Sequence, residues 1–463
     1  MNPRHTIRNE RQAATRRGIS LLEVLISAFV LSVGLLGLLS LVPLGGHRVS
    51  QVNQFDRSAA TGHRAFREFK TRGMLEPNRW MALSSGGTPS YIRTWTSPEG
   101  PGVLTGGVSK RNVDDWAETF CIDPLYIAKA ADAGFITSSN WPGRTFPYDL
   151  LNNASYPLGF NASYPLGFGD MQNAPRMPRV TISMLENFTA INAGGPGPPG
   201  AQPMVSSVAE RIFMSQNEGI YSLPNDETET PIRLYSYLGT TATIEQFQGD
   251  YSWMAMVSRS PNEVLAQFDS VSSNYFDIPP ATRNEYQVSI IVFYKRNFDG
   301  GIQVASTPAD ELPSERTCGI QFLNGLGLGG GDVLISAGDA AKMTPSQARD
   351  YLKVAPNQWI MVCSWVPRPT TPTPTNTIYK DVYGQDRLAR PIYRWYRVVA
   401  TDNAPEIETI GTTDMWVRYL TLDGPDWDPS ELNPVGGTGF SGTYAVLIDG
   451  VVAVFERTMQ RAE

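Results

Sequence analysis

From Val24 to Gly46 the chain carries no charged residue, and Leu, Val, Ile and Phe dominate the stretch. At about 1.5 Å per residue such a run is long enough for a hydrocarbon core of about 30 Å. It predicts a transmembrane helix over 19–46. Five Arg lie before it in residues 1–18 and none directly after it. That asymmetry predicts a cytoplasmic N-terminus, a single pass through the inner (cytoplasmic) membrane and an extracytoplasmic head. A secretory signal fits poorly, because its apolar region is shorter and ends in a small-residue cleavage site, whereas Pro43-Leu44-Gly45-Gly46 follows this one.

Two details go beyond an anchor. Arg16-Arg17-Gly18 stands directly before the apolar run, and Glu23 lies inside it as its one charge. A lone carboxylate in an apolar setting costs at least a few kcal/mol and needs a cation. A cut between Gly18 and Ile19 would supply one, the new α-amino group, and Glu23 of one copy would pair with the Ile19 amine of the next. The alternative is a hydrated Glu23 near an interface.

The block GISLLEVLISAFVLSVGLLGL, Gly18 to Leu38, resembles the cleavage and methylation segment of type IV prepilins and type II secretion pseudopilins. LLEVL followed by VLSVGLLGL is most similar to the type IV pilus modification group of minor pilins. The resemblance covers about 60 residues at the front, and its motif is specific. It implies a cytoplasmic leader over 1–18, removed by a prepilin peptidase that cuts after Gly18 and methylates Ile19, with Glu23 as the assembly glutamate. Ile19 stands where the family usually has Phe.

Beyond the run, Val49, Val52, Phe55, Ala59, Phe66 and Phe69 recur at spacings near three and four, which predicts an amphipathic stem helix over 47–75 packed on the head's sheet. Pro43 lacks an amide proton and Gly45-Gly46 add backbone freedom, so the sequence predicts either a kink between span and stem or an ordinary helix end. Charge is uneven here. Arg48, Arg57, Arg64, Arg67, Lys70 and Arg72 face only Asp56 and Glu68 in the stem, while the whole chain is at −7, so a basic stem carries an acidic head. That balance argues against a nucleic-acid partner.

Residues 76–206 read as an irregular, loop-rich insertion, with Gly/Pro clusters at 98–102 and 194–200 and a tandem octapeptide, NASYPLGF, at 153–160 and 161–168. Two copies are too few for a repeat fold and read as a duplication tolerated in a surface loop. Residues 207–463 read as a β-rich head. Strand signals occur at 286–294, 319–323, 333–336, 359–365, 393–400, 416–422 and 444–455, expected in one mainly antiparallel sheet. Asp449-Gly450 splits the last into a hairpin, and Thr344-Pro345-Ser346-Gln347 starts a short helix through Leu352. The fold class expected is α+β, a long N-terminal helix on a mainly antiparallel head with long Gly/Pro-rich loops.

Histidine is confined to His5, His47 and His63, so the head lacks Ser-His-Asp, Cys-His and His-metal sites. Cys121, Cys318 and Cys363 form no C-x-x-C; outside the cytoplasm they allow either a Cys318–Cys363 disulfide or three buried thiols. Gly325 to Gly331 formally matches G-x-G-x-x-G, but a strand pattern follows where a dinucleotide site needs a helix, so a hairpin loop is expected. Asp423, Asp426, Asp428 and Glu431 offer hard oxygen ligands for Ca²⁺ without meeting a loop motif, and the other reading is a solvated acidic turn with no metal. The expectation is a non-enzymatic structural subunit without cofactors: a minor pilin or pseudopilin of a type IV pilus-like or type II secretion-like filament. Its partners would be a prepilin peptidase, other pilin or pseudopilin subunits and inner-membrane lipid. The rival is a membrane-anchored envelope protein whose head binds a carbohydrate or protein ligand.

Overall fold

The computed structural model describes residues 21–76, 79–83, 91–93, 119–134, 136, 142–148, 174–183, 203–215, 249–259, 266–269, 274–277, 285–298, 314–323, 329–341, 343–367, 379–380, 386–387, 389–410, 413–427 and 443–460. Two compact units divide the chain, residues 1–56 and 57–463. Helix α1 (Leu21–Thr71) is one continuous helix of 51 residues, helical through Pro43, Gly45 and Gly46. No helix break therefore separates span from stem.

Among the described residues no helix is long and apolar enough to cross a membrane. The transmembrane span expected over 19–46 and the single-pass inner-membrane placement are corrected accordingly.

The structure is mostly β, with 47% strand, and holds a closed six-stranded barrel in the second unit, which corrects the α+β class and the single sheet expected for the head. One sheet is built from β1 (Trp80–Leu83), β2 (Tyr91–Arg93), β3 (Thr119–Ile122), β4 (Thr145–Phe146), β5 (Met177–Ile182), β6 (Tyr251–Arg259), β9 (Glu285–Tyr294) and β19 (Val451–Gln460). Between β6 and β9, β7 (Ala266–Asp269) and β8 (Asn274–Asp277) form a separate ribbon. The order is β19-β9-β6-β3-β5-β1-β2, with β4 on β5, and every pair is antiparallel except β3 with β5. Because β3 lies between β5 and β6, residues on both sides of position 206 share this sheet.

The barrel takes β10 (Glu315–Phe322), β11 (Gly330–Asp339), β12 (Trp359–Pro367), β15 (Ala389–Thr401), β17 (Thr413–Asp423) and β18 (Thr443–Ile448), with the ribbon β13 (Tyr379–Lys380) and β14 (Asp386–Arg387) between β12 and β15. The order β11-β10-β18-β12-β15-β17 closes on itself because β17 also pairs with β11; β16 (Glu406–Ile410) adds to β17 outside the ring. Among the described residues three short helices complete the unit: α2 (Pro124–Asp132), α3 (Ser206–Phe213) and α4 (Pro345–Tyr351). Thr344 caps α4 in a full capping box with Gln347, as its sequence predicts.

Alternation explains the layers. Cys318, Ile320, Val333, Ile335, Ile360, Val362, Ala445 and Leu447 fill the barrel interior, and their neighbours Met361, Cys363, Tyr444 and Val446 point outward to meet Met254, Met256, Ile291 and Phe293 of the sheet. Trp253, Ala255, Val257, Val288, Ile290 and Val292 lie on the sheet's opposite face, against Ala65, Phe69, Ile212 and Phe213. Strands β6 and β9 are thus buried on both faces, which is why Val288 to Phe293 reads as a nearly continuous apolar run. Each fully buried large side chain in these layers contributes about 1.5–3 kcal/mol.

The stem docks through small residues together with Phe66 and Phe69, the last two of the predicted stripe. Ser58, Thr61, Gly62, Ala65 and Phe69 are buried, whereas Val49, Val52 and Phe55 are exposed. A Cβ on Gly62 would stand 2.4 Å from the Phe455 ring of β19, so glycine is what allows helix and sheet to approach. At the β18–β19 turn, Gly450 has φ +81, and a Cβ there would meet the Tyr294 carbonyl oxygen at 2.8 Å. Gly62→Val is expected to lower unfolding stability by about 1–3 kcal/mol through overpacking, read as a shifted urea midpoint with unchanged slope.

Candidate functional site

The densest chemistry in the second unit is a buried charge cluster at the junction of sheet and barrel. Asp123 follows β3 and precedes Pro124, an arrangement that starts α2: its side chain caps the helix by accepting from the Tyr126 amide at 3.4 Å, with proline at the first helical position. Arg179 lies in β5, Arg296 follows β9, and Glu315 opens β10. The Arg179 guanidinium donates to Asp123 and Glu315 and, through Nε, to the Thr145 carbonyl at 3.0 Å. Arg296 donates to both Asp123 carboxylate oxygens at 2.9 and 2.6 Å.

Aromatic rings wall the cluster. The Arg179 guanidinium carbon lies 4.1 Å from the Tyr126 ring centre and 5.3 Å from that of Tyr148, and that of Arg296 lies 4.3 Å from Phe293. Such cation–π contacts are worth about 2 kcal/mol or more when desolvated. All four charged side chains are at most 4% exposed. Two guanidiniums and two carboxylates make the group neutral, which lets it survive burial.

The carboxylates do not share the attraction equally. Burial alone would raise Asp123, but Arg296 and Arg179 outweigh it and hold its carboxyl below the ordinary range. For Glu315 burial prevails over the Arg179 attraction and its carboxyl is raised; its Oε2 has no hydrogen-bond partner. Burial also pushes the Tyr148 phenol up to about 12. Closed to solvent, this arrangement suits joining layers better than meeting a substrate.

The residues singled out from sequence are scattered by comparison. Gly18 and Ile19 lie outside the described residues, and Glu23 sits in the first turn of α1. Cys121, Cys318 and Cys363 are free and buried, which corrects the Cys318–Cys363 disulfide. The register gives the reason: across β18, Cys318 pairs with Ala445 and Cys363 with Tyr444, adjacent residues whose side chains point to opposite faces. Cys318 therefore lies inside the barrel and Cys363 in the layer outside it. Burial raises all three thiols, Cys318 to about 12, so they are held protonated.

Gly329 directly precedes β11, whose first two residues are Gly330 and Gly331, so a strand rather than a helix follows. Of the acidic turn, Asp426 Oδ1 accepts from the Gly329 amide at 2.7 Å, while Asp428 and Glu431 lie outside the described residues. Among the described residues no group of three or more His, Cys, Asp or Glu is placed to hold a metal ion. Sequence reasoning missed the buried quartet. Its legible signals were Asp123-Pro124 as a helix start and Arg179 embedded in the apolar strand MPRVTI. No protein-family model, no curated protein and no solved structure matches the chain.

Opposite linkage follows from the two carboxyls. A lowered Asp123 contributes stability that is present above its ordinary value of 3.8 and lost as pH falls through its folded value. A raised Glu315 contributes stability that is present below its ordinary 4.5 and lost as pH climbs through its folded value. Urea unfolding from pH 4 to 8 is expected to show Glu315→Gln gaining on the wild type as pH rises through that window and Asp123→Asn falling below it. Arg179→Met, which strips Glu315 of its ion pair, is expected to cost about 3–5 kcal/mol near neutral pH.

Proposed function

We propose that the chain is a structural filament subunit of the type IV pilin or pseudopilin kind, cut after Gly18 by a prepilin peptidase and assembled through α1. The observation that carries this reading is the division of labour along that helix. Its last turns contribute Ala65 and Phe69 to the head's core, while Leu21, Leu22, Val24, Leu25, Ile26, Phe29, Val30 and Leu31 are all exposed. Contiguous exposed apolar surface of that extent marks an interaction site, and helices of further copies supply a matching surface.

Packing such helices together removes water from Glu23, which then needs a cation. An Ile19 amine freed by cleavage answers that need from the neighbouring copy, and the pair fixes the axial step between subunits. The resemblance of Gly18 to Leu38 to the prepilin segment supports the same assignment. The buried thiols and the solvent-closed quartet fit a head that is structural.

Mass spectrometry of the mature chain is expected to find Ile19 as its first residue; an intact Met1 would remove the basis of the proposal. Glu23→Ala is expected to leave the head folded, by unchanged thermal unfolding, and to be depleted at least about tenfold from sheared filament fractions. Wild-type amounts of the variant in filaments would refute the pairing.

A further inference from the structure

Strand β16 ends the order of the barrel sheet and β19 ends that of the other sheet, so among the described residues each is paired along one edge alone. Single hydrogen bonds fix which backbone groups each open edge presents. The Asp414 carbonyl of β17 accepts from Ala340 on the β11 side, and the Tyr419 carbonyl accepts from Asp402 on the other. Odd-numbered β17 residues therefore bond toward β16, where Glu406, Glu408 and Ile410 lie opposite Val417, Met415 and Thr413 and take up those bonds. Ile407 and Thr409 are left with N–H and C=O turned to the open edge.

The same reading applies to β19. The Tyr294 amide of β9 donates to the Gly450 carbonyl on the β19 side, and the Lys295 amide donates to Asp250 on the β6 side. Even-numbered β9 residues thus bond toward β19, through Ala453, Phe455, Arg457 and Met459. Val454, Glu456, Thr458 and Gln460 turn outward. The two edges differ in charge: Glu406 is exposed and Glu408 half-buried on β16, Arg457 is exposed on β19, and none of the three makes an ion pair among the described residues. Tyr419 donates to Glu408 at 2.8 Å, which orients that carboxylate.

We propose that β16 of one copy adds as an antiparallel strand to the open edge of β19 in a second copy. Matching the outward-turned residues restricts the register to steps of two, and side-chain chemistry selects among them. With Ile407 against Thr458 and Thr409 against Glu456 exchanging the hydrogen bonds, Glu408 stands against Arg457 and Ile410 against Phe455 in the pairs whose side chains approach most closely. A register two residues away sets Glu408 against Phe455 instead. Pairing of like edges is disfavoured, because two β16 strands centred on Glu408 oppose their carboxylates and two β19 strands centred on Arg457 oppose their guanidiniums. An open edge of 10 residues such as β19 is a template for a further strand. The contact is heterologous, one edge meeting a different one, so it propagates from copy to copy instead of closing a dimer. It rests on the filament reading and names a head-to-head contact within it.

Cysteine cross-linking of the full chain in detergent, which covers the exposed apolar residues of α1, tests the register. Ile407→Cys marks one edge and Thr458→Cys the other, and a hydrogen-bonded pair sets their Cα atoms about 5.5 Å apart, within reach of a disulfide. The native thiols are buried and stay out of the reaction. Mixing the two variants under mild oxidation is expected to yield a disulfide dimer at least about tenfold faster than mixing Ile407→Cys with Gln460→Cys, a diagonal pair about 7–8 Å apart. Adding Glu408→Arg to the first chain or Arg457→Glu to the second is expected to slow the reaction at least about fivefold, and adding both to restore it. Unchanged thermal unfolding of each variant, together with that restoration, separates docking from a folding defect. No dimer on mixing, equal cross-linking through Gln460→Cys, or a double charge swap as slow as the single ones would each overturn the proposal. The filament reading itself fails on the mature N-terminus and on Glu23→Ala, which this measurement leaves untouched.

Discussion

Arg179 stands where the sheet, α2 and the barrel meet, and its three nitrogens are committed in three directions: to the cap of α2, to the first residue of β10 and to the backbone beside β4. A guanidinium buried this deeply is tolerable only because each nitrogen is satisfied and two carboxylates balance two arginines. Apolar contact between two layers specifies little about their rotation. A forked donor that must meet fixed acceptors specifies much more, so the quartet acts as the registration point of the head.

Two further arginines work differently. Arg316 donates to the Tyr351 and Lys353 carbonyls and, through both terminal nitrogens at 2.8 Å, to Asp449 of the β18–β19 turn. Arg418 donates to the Leu352 carbonyl at 2.8 Å. Three successive carbonyls at the C-terminal end of α4 are thereby answered by cations, where the helix leaves acceptors unsatisfied and partly negative. A short helix that could not persist alone is held across the barrel end. The Arg316–Asp449 bond also ties that end to the hairpin through which the chain leaves the barrel for β19.

Much of this was legible locally. The strand segments from Tyr286 onward, the capping box at Thr344 and the turn at Asp449-Gly450 are each decided by a few adjacent residues, and each forms where expected. Closure was not legible, because it depends on β17 pairing with β11 at a separation of some eighty residues, and nothing in either strand distinguishes a barrel partner from a sheet partner. The stem's buried face was legible only at Phe66 and Phe69: periodicity finds large apolar residues, whereas the docking surface at Gly62 and Ala65 is made by small ones. Buried charge is harder still. Asp123, Arg179, Arg296 and Glu315 come from separate stretches of the chain, and neither the Asp123-Pro124 helix start nor Arg179 within MPRVTI says which partner it meets.

Composition and exposure change along α1. Between Ser58 and Phe69 the side chains are sorted into a buried face of small residues and Phe69 and an exposed face carrying Arg67. From Leu21 to Leu36 no such sorting exists, since apolar residues occupy every side and all are exposed. A helix apolar all round has no preferred face to turn toward one neighbour and suits being surrounded. The head's core draws on the last turns of α1, where Ala65 and Phe69 are buried among the sheet's side chains, and large-to-small changes there cost more than any at an exposed position.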